Sequence, residues 1–184
     1  MRIIAGMLKG KRLKSFQGRT IRPTSDRIRE SIFNILSRRI KESVVLDLFA
    51  GTGALGIEAL SRGAKHALFI EKDKGAAAVL HGNLQSCRLV DRSETIQWDI
   101  EKNLNCIRLQ TPKFTLVFMD PPYSKGAVKQ ALANLHGASA VEAGACVVVE
   151  HSIQEAIPEN SQEYILQDRR RYGKTLVSFL EYMV

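Results

Sequence analysis

Residues 44–56, VVLDLFAGTGALG, decide the fold of this chain. The run from 44 to 49 is apolar except for Asp47, which is typical of a strand that helices cover on both faces. Gly51 and Gly53 interrupt this strand, and the residues that follow have the composition of a helix. A buried strand, a glycine loop and a helix in this order predict the first unit of a parallel α/β sheet.

Similar units follow along the chain. Further strands are predicted at residues 67–71, 94–98, 114–119 and 145–150, and further helices at 74–87 and 127–135. Residues 163–167 and 175–180 have strand character with no helix between them, which predicts an antiparallel hairpin around the basic stretch 169–173. We therefore predict an α/β fold with a doubly wound, mostly parallel sheet of seven strands that ends in this hairpin.

Residues 1–41 differ from the rest of the chain in charge. They contain twelve Lys and Arg against Asp26 and Glu30, a net charge of +10, whereas the whole chain carries +8 and the other 143 residues therefore −2. Apolar residues alternate with the basic ones, and residues 28–36 have helical spacing, so we predict a β-hairpin followed by a helix. A basic extension (1–41) on a globular domain (42–184) is typical of proteins that dock on a nucleic acid. The basic residues expected at that interface include Lys9, Lys11, Arg12, Lys14 and Arg19.

Composition argues against several other classes of protein. With 184 residues, 45% hydrophobic and 25% charged, the chain suits a globular domain, and it has no apolar run near the ~18 residues that a membrane helix needs. The N-terminus lacks a signal-peptide pattern, so we expect a cytoplasmic protein, acting as a monomer without a membrane partner. The cysteines and histidines are scattered without ligand spacing, and no metal site is predicted.

The glycine loop after the first strand is expected to bind a ligand. In open α/β sheets, ligands lie beyond the carboxyl ends of the strands, where glycines let the backbone approach and a helix N-terminus offers free N–H groups. Residues 51–56, GTGALG, also fit the GxGxxG pattern of dinucleotide-binding loops. The loop alone therefore leaves two ligands open, a nicotinamide dinucleotide and S-adenosylmethionine.

Acidic residues at three successive strand ends favour S-adenosylmethionine. Asp47 would attract a ligand ammonium group and repel a pyrophosphate. Glu71, at the end of the second strand, can accept hydrogen bonds from both ribose hydroxyls, and Asp99, after the third, can accept from the adenine amino group. The predicted cofactor site consists of Asp47, Phe49, Ala50, Gly51, Thr52, Gly53, Glu71 and Asp99.

The sequence Asp120-Pro121-Pro122-Tyr123 directly follows the fourth strand and predicts a catalytic site. The prolines fix the backbone, so the Asp120 carboxylate and the Pro121 carbonyl can be held as two acceptors. An exocyclic amino group donates two hydrogen bonds, so this pair selects an amino group over a keto oxygen and orients its nitrogen toward a methyl donor. Tyr123 offers a ring for base stacking, which contributes ~1–3 kcal/mol.

These motifs resemble the amino-methyltransferases that carry a (D/N/S)PP(Y/F) sequence, and among them the RsmD family of bacterial 16S rRNA guanine-N2-methyltransferases. The resemblance is carried by residues 3–6, 9–13, 20–24, 26–36, 46–53 and 118–123. It implies the class I methyltransferase fold and N2-methylation of a guanine in 16S rRNA, within assembled or partly assembled 30S particles. It also implies that Arg22, Arg27 and Arg29 contact phosphate or organise the cofactor site, if they are not simply helix-surface residues.

Three other functions are compatible with parts of the sequence. A DNA adenine-N6 or cytosine-N4 methyltransferase would share both motifs and flip its target base, but this chain has little room for a target-recognition domain. A nicotinamide-dependent oxidoreductase would use the GxGxxG loop but gives no role to residues 120–123. A non-catalytic RNA-binding module would keep the fold without needing the acidic residues at the strand ends.

Overall fold

The computed structural model describes residues 1–16, 26–122 and 126–184. Within these ranges the helices are α1 (Asp26–Ile35), α2 (Ala54–Ser61), α3 (Lys74–Ser86) and α4 (Ala127–Ala138). The strands are β1 (Val44–Leu48), β2 (His66–Glu71), β3 (Ser93–Gln97), β4 (Phe114–Met119), β5 (Val141–Ser152), β6 (Tyr164–Tyr172) and β7 (Thr175–Tyr182).

The strands form one seven-stranded sheet in the order β3-β2-β1-β4-β5-β7-β6. The five strands from β3 to β5 are parallel, whereas β7 is antiparallel to both β5 and β6. This topology confirms the predicted doubly wound sheet with its terminal hairpin. The strand order reverses between β1 and β4, so the ligand crevice expected in such sheets lies at the carboxyl ends of these two strands.

Strands β5 and β6 are each several residues longer than the sequence pattern predicts. β5 begins at Val141, which pairs with Phe114 before a register shift in the β4–β5 ladder. β6 extends to Tyr172, so the basic residues 169–171 lie in the strand and only Gly173 and Lys174 form the turn. Arginines suit this position because β6 is an edge strand, where the long side chains keep their charged ends in water while the backbone pairs with β7.

Helices cover both faces of the sheet. On one face, α1, α2 and α3 bury Phe33, Ile57 and Leu80 in a layer that also takes in Ile3 and Leu13 from the N-terminal segment. On the other face, α4 packs beside apolar residues from the stretch between β3 and β4, namely Ile100, Leu104 and Ile107. None of the helices in the described ranges is long and apolar enough to cross a membrane.

The N-terminal segment, residues 1–16, forms a short antiparallel hairpin in which the backbones of Arg2 and Arg12 pair as an isolated β-bridge. The carboxylate of Glu58 on α2 accepts hydrogen bonds from the backbone N–H groups of Ile4 and Ala5, at 2.8 and 3.0 Å. Gly6 has a positive φ of 82°, and a Cβ there would lie 1.9 Å from the carbonyl oxygen of Ser61. The segment is therefore built into the first helical layer, and the division at residue 41 stays a prediction about sequence organisation.

Candidate active site

The glycine loop connects β1 to α2 through an unusual backbone path. Phe49, Gly51 and Gly53 all have positive φ, of 58°, 55° and 83°. The loop is held by hydrogen bonds from the Ala50 N–H to the Ile70 carbonyl at 3.0 Å and from the Gly53 N–H to the Ala50 carbonyl at 2.8 Å. A positive φ at a residue with a side chain costs roughly 1–2 kcal/mol, and such strain is concentrated at ligand sites.

Glu71 lies at the end of β2 with both carboxylate oxygens fixed beside this loop. One accepts from the Gly51 N–H at 2.7 Å and the other from the Asp73 N–H at 2.8 Å. Asp73 in turn caps α3 by accepting from the Ala76 N–H at 2.8 Å. Each carboxylate oxygen has a further lone pair, so Glu71 can still accept hydrogen bonds from two vicinal hydroxyls.

Asp47 is buried directly behind the loop, with only 3% of its surface exposed. One carboxylate oxygen accepts from the Gly56 N–H of α2 at 2.8 Å. Burial raises the pKa of Asp47 to about 7; the hydrogen bond from Gly56 opposes this rise, and the negative charge of Glu71 adds to it. A Cβ at Gly56 would lie 2.3 Å from the Phe69 ring, so this glycine allows α2 to pack closely on the sheet.

Asp99 follows β3 and forms an ion pair with Lys72, at 2.9 Å between Oδ2 and Nζ. This hydrogen-bonded pair lowers the pKa of Asp99. Its other oxygen, Oδ1, is buried and has no hydrogen-bond partner in the described structure. A buried acceptor without a donor is costly, so Oδ1 is suited to a ligand N–H.

The loop residues and the two strand-end carboxylates fit the adenosine part of S-adenosylmethionine. A Cβ at Gly51 would meet only the Phe49 carbonyl oxygen, 4.0 Å away, so the space beside Gly51 is open. A Cβ at Gly53 would instead lie 2.3 Å from Leu80 Cδ1, so that side is filled by protein. In the described parts of the chain, no cluster of three His, Cys, Asp or Glu side chains could hold a metal ion.

Asp120 follows the last residue of β4 at the same edge of the sheet. Met119 is paired with Leu48 of β1 and with Val149 of β5. One residue further along, Asp120 therefore lies between Phe49 and Glu150 of β5, at the ~5 Å spacing of neighbouring strands. Pro121 is buried and Pro122 is exposed, while the predicted stacking residue Tyr123 lies outside the described residues.

The basic residues of the N-terminal hairpin, within residues 1–16, are all exposed but differ in their distance from the loop. Lys9 and Lys11 belong to a turn that bonds to Ser61, the last residue of α2, through the Met7 N–H at 2.8 Å. Because α2 has eight residues, this turn lies ~12 Å from the glycine loop.

Lys14 lies much closer to the loop than that turn. Its backbone bonds to the Asn83 side chain, which also donates to the Thr52 carbonyl at 3.0 Å. Arg12 lies in the same strand of the hairpin and is exposed. Arg27 is exposed on the first turn of α1, and the predicted interface residues Arg19 and Arg22 lie outside the described residues.

Arg29 does not lie where a residue that contacts RNA phosphate is expected to lie. Its side chain is completely buried and donates hydrogen bonds to the Arg2 carbonyl and, at 3.0 Å, to Asp26. The reason is helical periodicity, since Arg29, Ile32 and Phe33 lie on the buried face of α1. Arg29 therefore joins the N-terminal hairpin to α1 and presents no surface to a phosphate.

Comparison with known proteins assigns the family. Residues 1–181 match the family model described as conserved hypothetical protein 95. The chain belongs to this family. Ribosomal RNA small subunit methyltransferase D of Haemophilus influenzae is 37% identical over 164 residues, covering 87% of this chain and 84% of the relative. The protein of the same name from Escherichia coli K12 is 34% identical over 177 residues, covering 95% and 86%. The resemblance to the RsmD family is thereby confirmed.

Solved structures of similar proteins agree with this family. The Escherichia coli protein yhhF superposes with a TM-score of 0.86 at 29% identity, over 100% of this chain and 98% of that one. An RNA methyltransferase from Salinibacter ruber, in complex with S-adenosyl-L-homocysteine, has a TM-score of 0.66 at 16% identity, a likeness of fold. The chain therefore has the predicted class I methyltransferase fold.

Two buried residues of this family member escaped sequence reasoning. Glu150 lies near the carboxyl end of β5, on the sheet face that buries Val148, and the register sets it beside Asp120. The sequence does contain a pattern that could have identified Glu150: it is an acidic residue directly after the apolar run 147–149, as Asp120 is after the apolar residues of β4. Asn83 had no such signal, because an asparagine within a helix is usually a surface residue.

The start of α4 is held by a hydrogen-bond network that includes His151 of β5 and Glu155, which follows β5. Glu155 accepts from the Val128 N–H at 3.1 Å, and its own carbonyl lies 3.1 Å from His151 Nδ1. His151 Nε2 contacts the Ser178 hydroxyl at 2.9 Å, and burial lowers the pKa of this histidine. With Nδ1 next to two carbonyl oxygens, the neutral ring carries its proton there, and the network fixes the first turn of α4.

Proposed function

We propose that this chain transfers the methyl group of S-adenosylmethionine to the exocyclic N2 amino group of a guanine in 16S rRNA. We further propose that the substrate is an assembled or partly assembled small-subunit particle and that the enzyme acts as a cytoplasmic monomer. The names of the relatives support methylation of small-subunit rRNA. The guanine N2 atom is proposed from the chemistry of Asp120 and Pro121 and from the resemblance to the RsmD family.

The observation that carries this proposal is the pairing of β4 with β1. The pairing of Met119 with Leu48 brings the strand end before Asp120 next to the loop that begins at Phe49. A methyl donor beside Gly51 and an amino acceptor beside Asp120 would then share one crevice. Donor and acceptor have to come within ~3–3.5 Å for transfer, so this adjacency is a necessary condition.

Asp120 and Pro121 would bind the two hydrogens of the target amino group. Accepting both hydrogen bonds orients the nitrogen lone pair and reduces its delocalisation into the ring, which improves a weak nucleophile. S-adenosylmethionine supplies an electrophilic methyl carbon, and the new N–C bond forms as the S–C bond breaks with its electron pair remaining on sulfur. The nitrogen then loses one proton, and in the proposed geometry the Asp120 carboxylate is the nearest group that can accept it.

The proposed RNA interface comprises exposed basic residues near the catalytic edge. Lys14 is joined to the glycine loop through Asn83, Arg27 lies on the helix that contacts Tyr172, and Lys9, Lys11 and Arg12 extend the surface along α2. Arg19 and Arg22 belong to the proposal through the family resemblance alone. Phosphate contacts of this kind bind and position RNA without reading its sequence.

A methyl-transfer assay with labelled S-adenosylmethionine tests the function. Purified small-subunit particles, free 16S rRNA, 23S rRNA and duplex DNA are incubated separately, and the labelled nucleoside is then identified. We expect N2-methylguanosine in 16S rRNA. Label in DNA, or on adenine N6 or cytosine N4, would contradict the proposal.

Replacing Asp120 tests the catalytic assignment. We expect Asp120→Ala to slow methyl transfer by about a hundredfold or more, because an acceptor used in the transition state is lost, while cofactor affinity changes little. Asp91→Ala, at an exposed position before β3, is the matched control and should leave the rate unchanged. Equal losses of cofactor binding and of transfer in Asp120→Ala would assign the residue to cofactor binding instead.

A further inference from the structure

We propose that the turn of the terminal hairpin is a second binding surface for the RNA phosphodiester backbone, adjacent to the catalytic edge. This hairpin tip consists of residues 170–174, Arg-Arg-Tyr-Gly-Lys. The inference rests on the proposed function, because it gives the RNA substrate a contact on the side of the crevice opposite the cofactor strands β2 and β3.

The hairpin tip lies at the same edge of the sheet as Asp120. β7 runs antiparallel to β5, and the last pair of their ladder joins Ser152 to Thr175. Ser152 is the carboxyl end of β5, and β5 is the parallel neighbour of β4. The turn before Thr175 therefore projects from the edge where β4 leads into Asp120, two strands away from it.

Contacts on both sides hold the hairpin tip in place. The Ile153 N–H donates to the Lys174 carbonyl at 3.1 Å, and the Tyr172 hydroxyl is hydrogen-bonded to Ser31 on α1. Arg27 precedes Ser31 by four residues, so both lie on the same side of α1. The hairpin tip and the exposed Arg27 thus belong to one surface along the catalytic edge.

Two positive charges of the hairpin tip are uncompensated. Arg170 pairs with Asp168 at 2.9 Å, and the neighbouring Arg169 pairs with Glu159 at 2.7 Å. Arg171 and Lys174 are exposed, and within the described ranges neither forms an ion pair. The Arg171 Nε–H donates to the Gly173 carbonyl at 3.0 Å, which leaves the rest of its guanidinium available at the turn.

A matched pair of double variants tests this surface. Arg171→Gln with Lys174→Gln removes two charges at the hairpin tip and leaves the Arg170–Asp168 pair intact. Lys65→Gln with Lys113→Gln removes two exposed charges immediately before β2 and β4, at the opposite edge of the sheet. Binding of both variants and of the unchanged protein to labelled 16S rRNA and to small-subunit particles is measured over a range of salt concentrations.

We expect the hairpin-tip variant to bind 16S rRNA roughly 25- to 60-fold more weakly at about 0.1 M salt, with a negative slope of log K against log[salt] that is shallower by about 1.4–1.8. The opposite-edge variant should retain the affinity and slope of the unchanged protein. If the hairpin-tip variant binds RNA as tightly as the opposite-edge variant and the unchanged protein, the inference is overturned. The arginines of β6 would then serve only to prevent pairing of this edge strand with another chain. Loss of binding to the particle without loss for free 16S rRNA would also overturn it, because it would assign the surface to a protein partner.

Two readouts separate this inference from the proposed function and from misfolding. Cofactor-dependent thermal stabilisation should be the same in all three proteins, because the hairpin tip lies outside the cofactor site. If folding of the double variant is impaired, Lys174→Gln alone, at an exposed turn position, should show about half the change in slope. The proposed function fails if the unchanged protein methylates no rRNA, whereas the inference is decided by the binding data alone.

Discussion

At the scale of single residues, the site depends on carboxylates whose surroundings shift their pKa values in opposite directions. Burial raises the pKa of Asp47 to about 7, whereas the Lys72 ammonium lowers that of Asp99. Near neutral pH, Asp99 is therefore charged and paired, while Asp47 is partly protonated in the ligand-free protein. A cationic ligand next to Asp47 would favour its charged form.

The raised pKa of Asp47 predicts a pH-dependent stability. Its folded-state pKa of about 7 lies above its ordinary value of 3.8, so the folded state binds the extra proton between these pH values. The free energy of unfolding therefore falls as pH rises from about 4, and the loss of roughly 4 kcal/mol is complete above pH 7. Asp47→Asn should remove this component in denaturant unfolding at pH 5 and pH 8. The same pH dependence in Asp47→Asn and in the unchanged protein would contradict the assignment.

Replacement by alanine should have different consequences at the two loop glycines, Gly51 and Gly53, because their surroundings differ. Gly53→Ala introduces a methyl group 2.3 Å from Leu80 at a positive φ, so we expect a loss of roughly 2–4 kcal/mol in the free energy of unfolding. Gly51→Ala has open space beside it and should cost about 1 kcal/mol, but the methyl group enters the ligand space. Chemical unfolding and titration with S-adenosylmethionine distinguish them. Gly51→Ala with unchanged cofactor affinity would contradict the proposed cofactor position.

At the scale of elements, Asn83 of α3 connects the N-terminal segment to the glycine loop. Its buried side chain accepts from the Lys14 N–H at 2.8 Å and donates to the carbonyls of Lys14 and Thr52, at 3.1 and 3.0 Å. One side chain thus orients both the cofactor loop and the basic segment. The proposed RNA-binding segment and the proposed cofactor loop would therefore share this contact.

Removal of this side chain should affect both stability and cofactor binding. We expect Asn83→Ala to lower the free energy of unfolding by roughly 2–4 kcal/mol, because three partly buried hydrogen bonds to the backbone of Lys14 and Thr52 are lost together. Affinity for S-adenosylmethionine should fall as well, since the loop carbonyl is no longer held. Calorimetry at a temperature where the variant is fully folded measures this effect. A destabilised variant with unaltered cofactor affinity would show that the contact serves the fold alone.

At the scale of the whole molecule, the topological switch between β1 and β4 brings the proposed donor and acceptor sites to one edge. A ligand that binds only the folded protein raises its unfolding temperature by mass action. At a concentration of 100 Kd the stabilisation is about 2.7 kcal/mol, which for a chain of this size corresponds to roughly 5–11 °C. S-adenosylmethionine should produce this shift, and NAD should produce none. A comparable shift with NAD would support the oxidoreductase alternative.

The single tryptophan offers a second readout of the same binding event. Trp98 precedes Asp99, is 37% exposed and donates from its indole N–H to the Asn103 carbonyl at 3.0 Å. Because its surroundings include the proposed adenine site, cofactor binding should change its fluorescence with the same affinity as the thermal shift. Trp98→Phe should abolish the signal and keep the thermal shift.

Much of the fold could be predicted from local sequence, because β1, its glycine loop and α2 lie within 18 residues. The spacing of their apolar residues indicates which side chains are buried. The hairpin at the C-terminus was predicted, but the end of β6 was not, since the arginines at 169–171 resemble a turn until they pair with β7. Arg29 was expected at a surface, although its spacing from Ile32 and Phe33 placed it on the buried face of α1. The extent of β6 was decided by its distant partner β7, whereas the burial of Arg29 follows from the local periodicity of α1.

The amino-acid sequence by itself determined the order of the elements, the acidic residues at the strand ends and the place of the Asp120-Pro121-Pro122 motif after β4, because each depends on residues a few positions apart. Only the tertiary structure decided that Glu150 lies beside Asp120, that Asn83 joins Lys14 to Thr52, and that the hairpin tip reaches the sheet edge where β4 ends. These neighbours are 30 or more residues apart in the chain. Strand register and helix packing bring them together, and no local pattern encodes either.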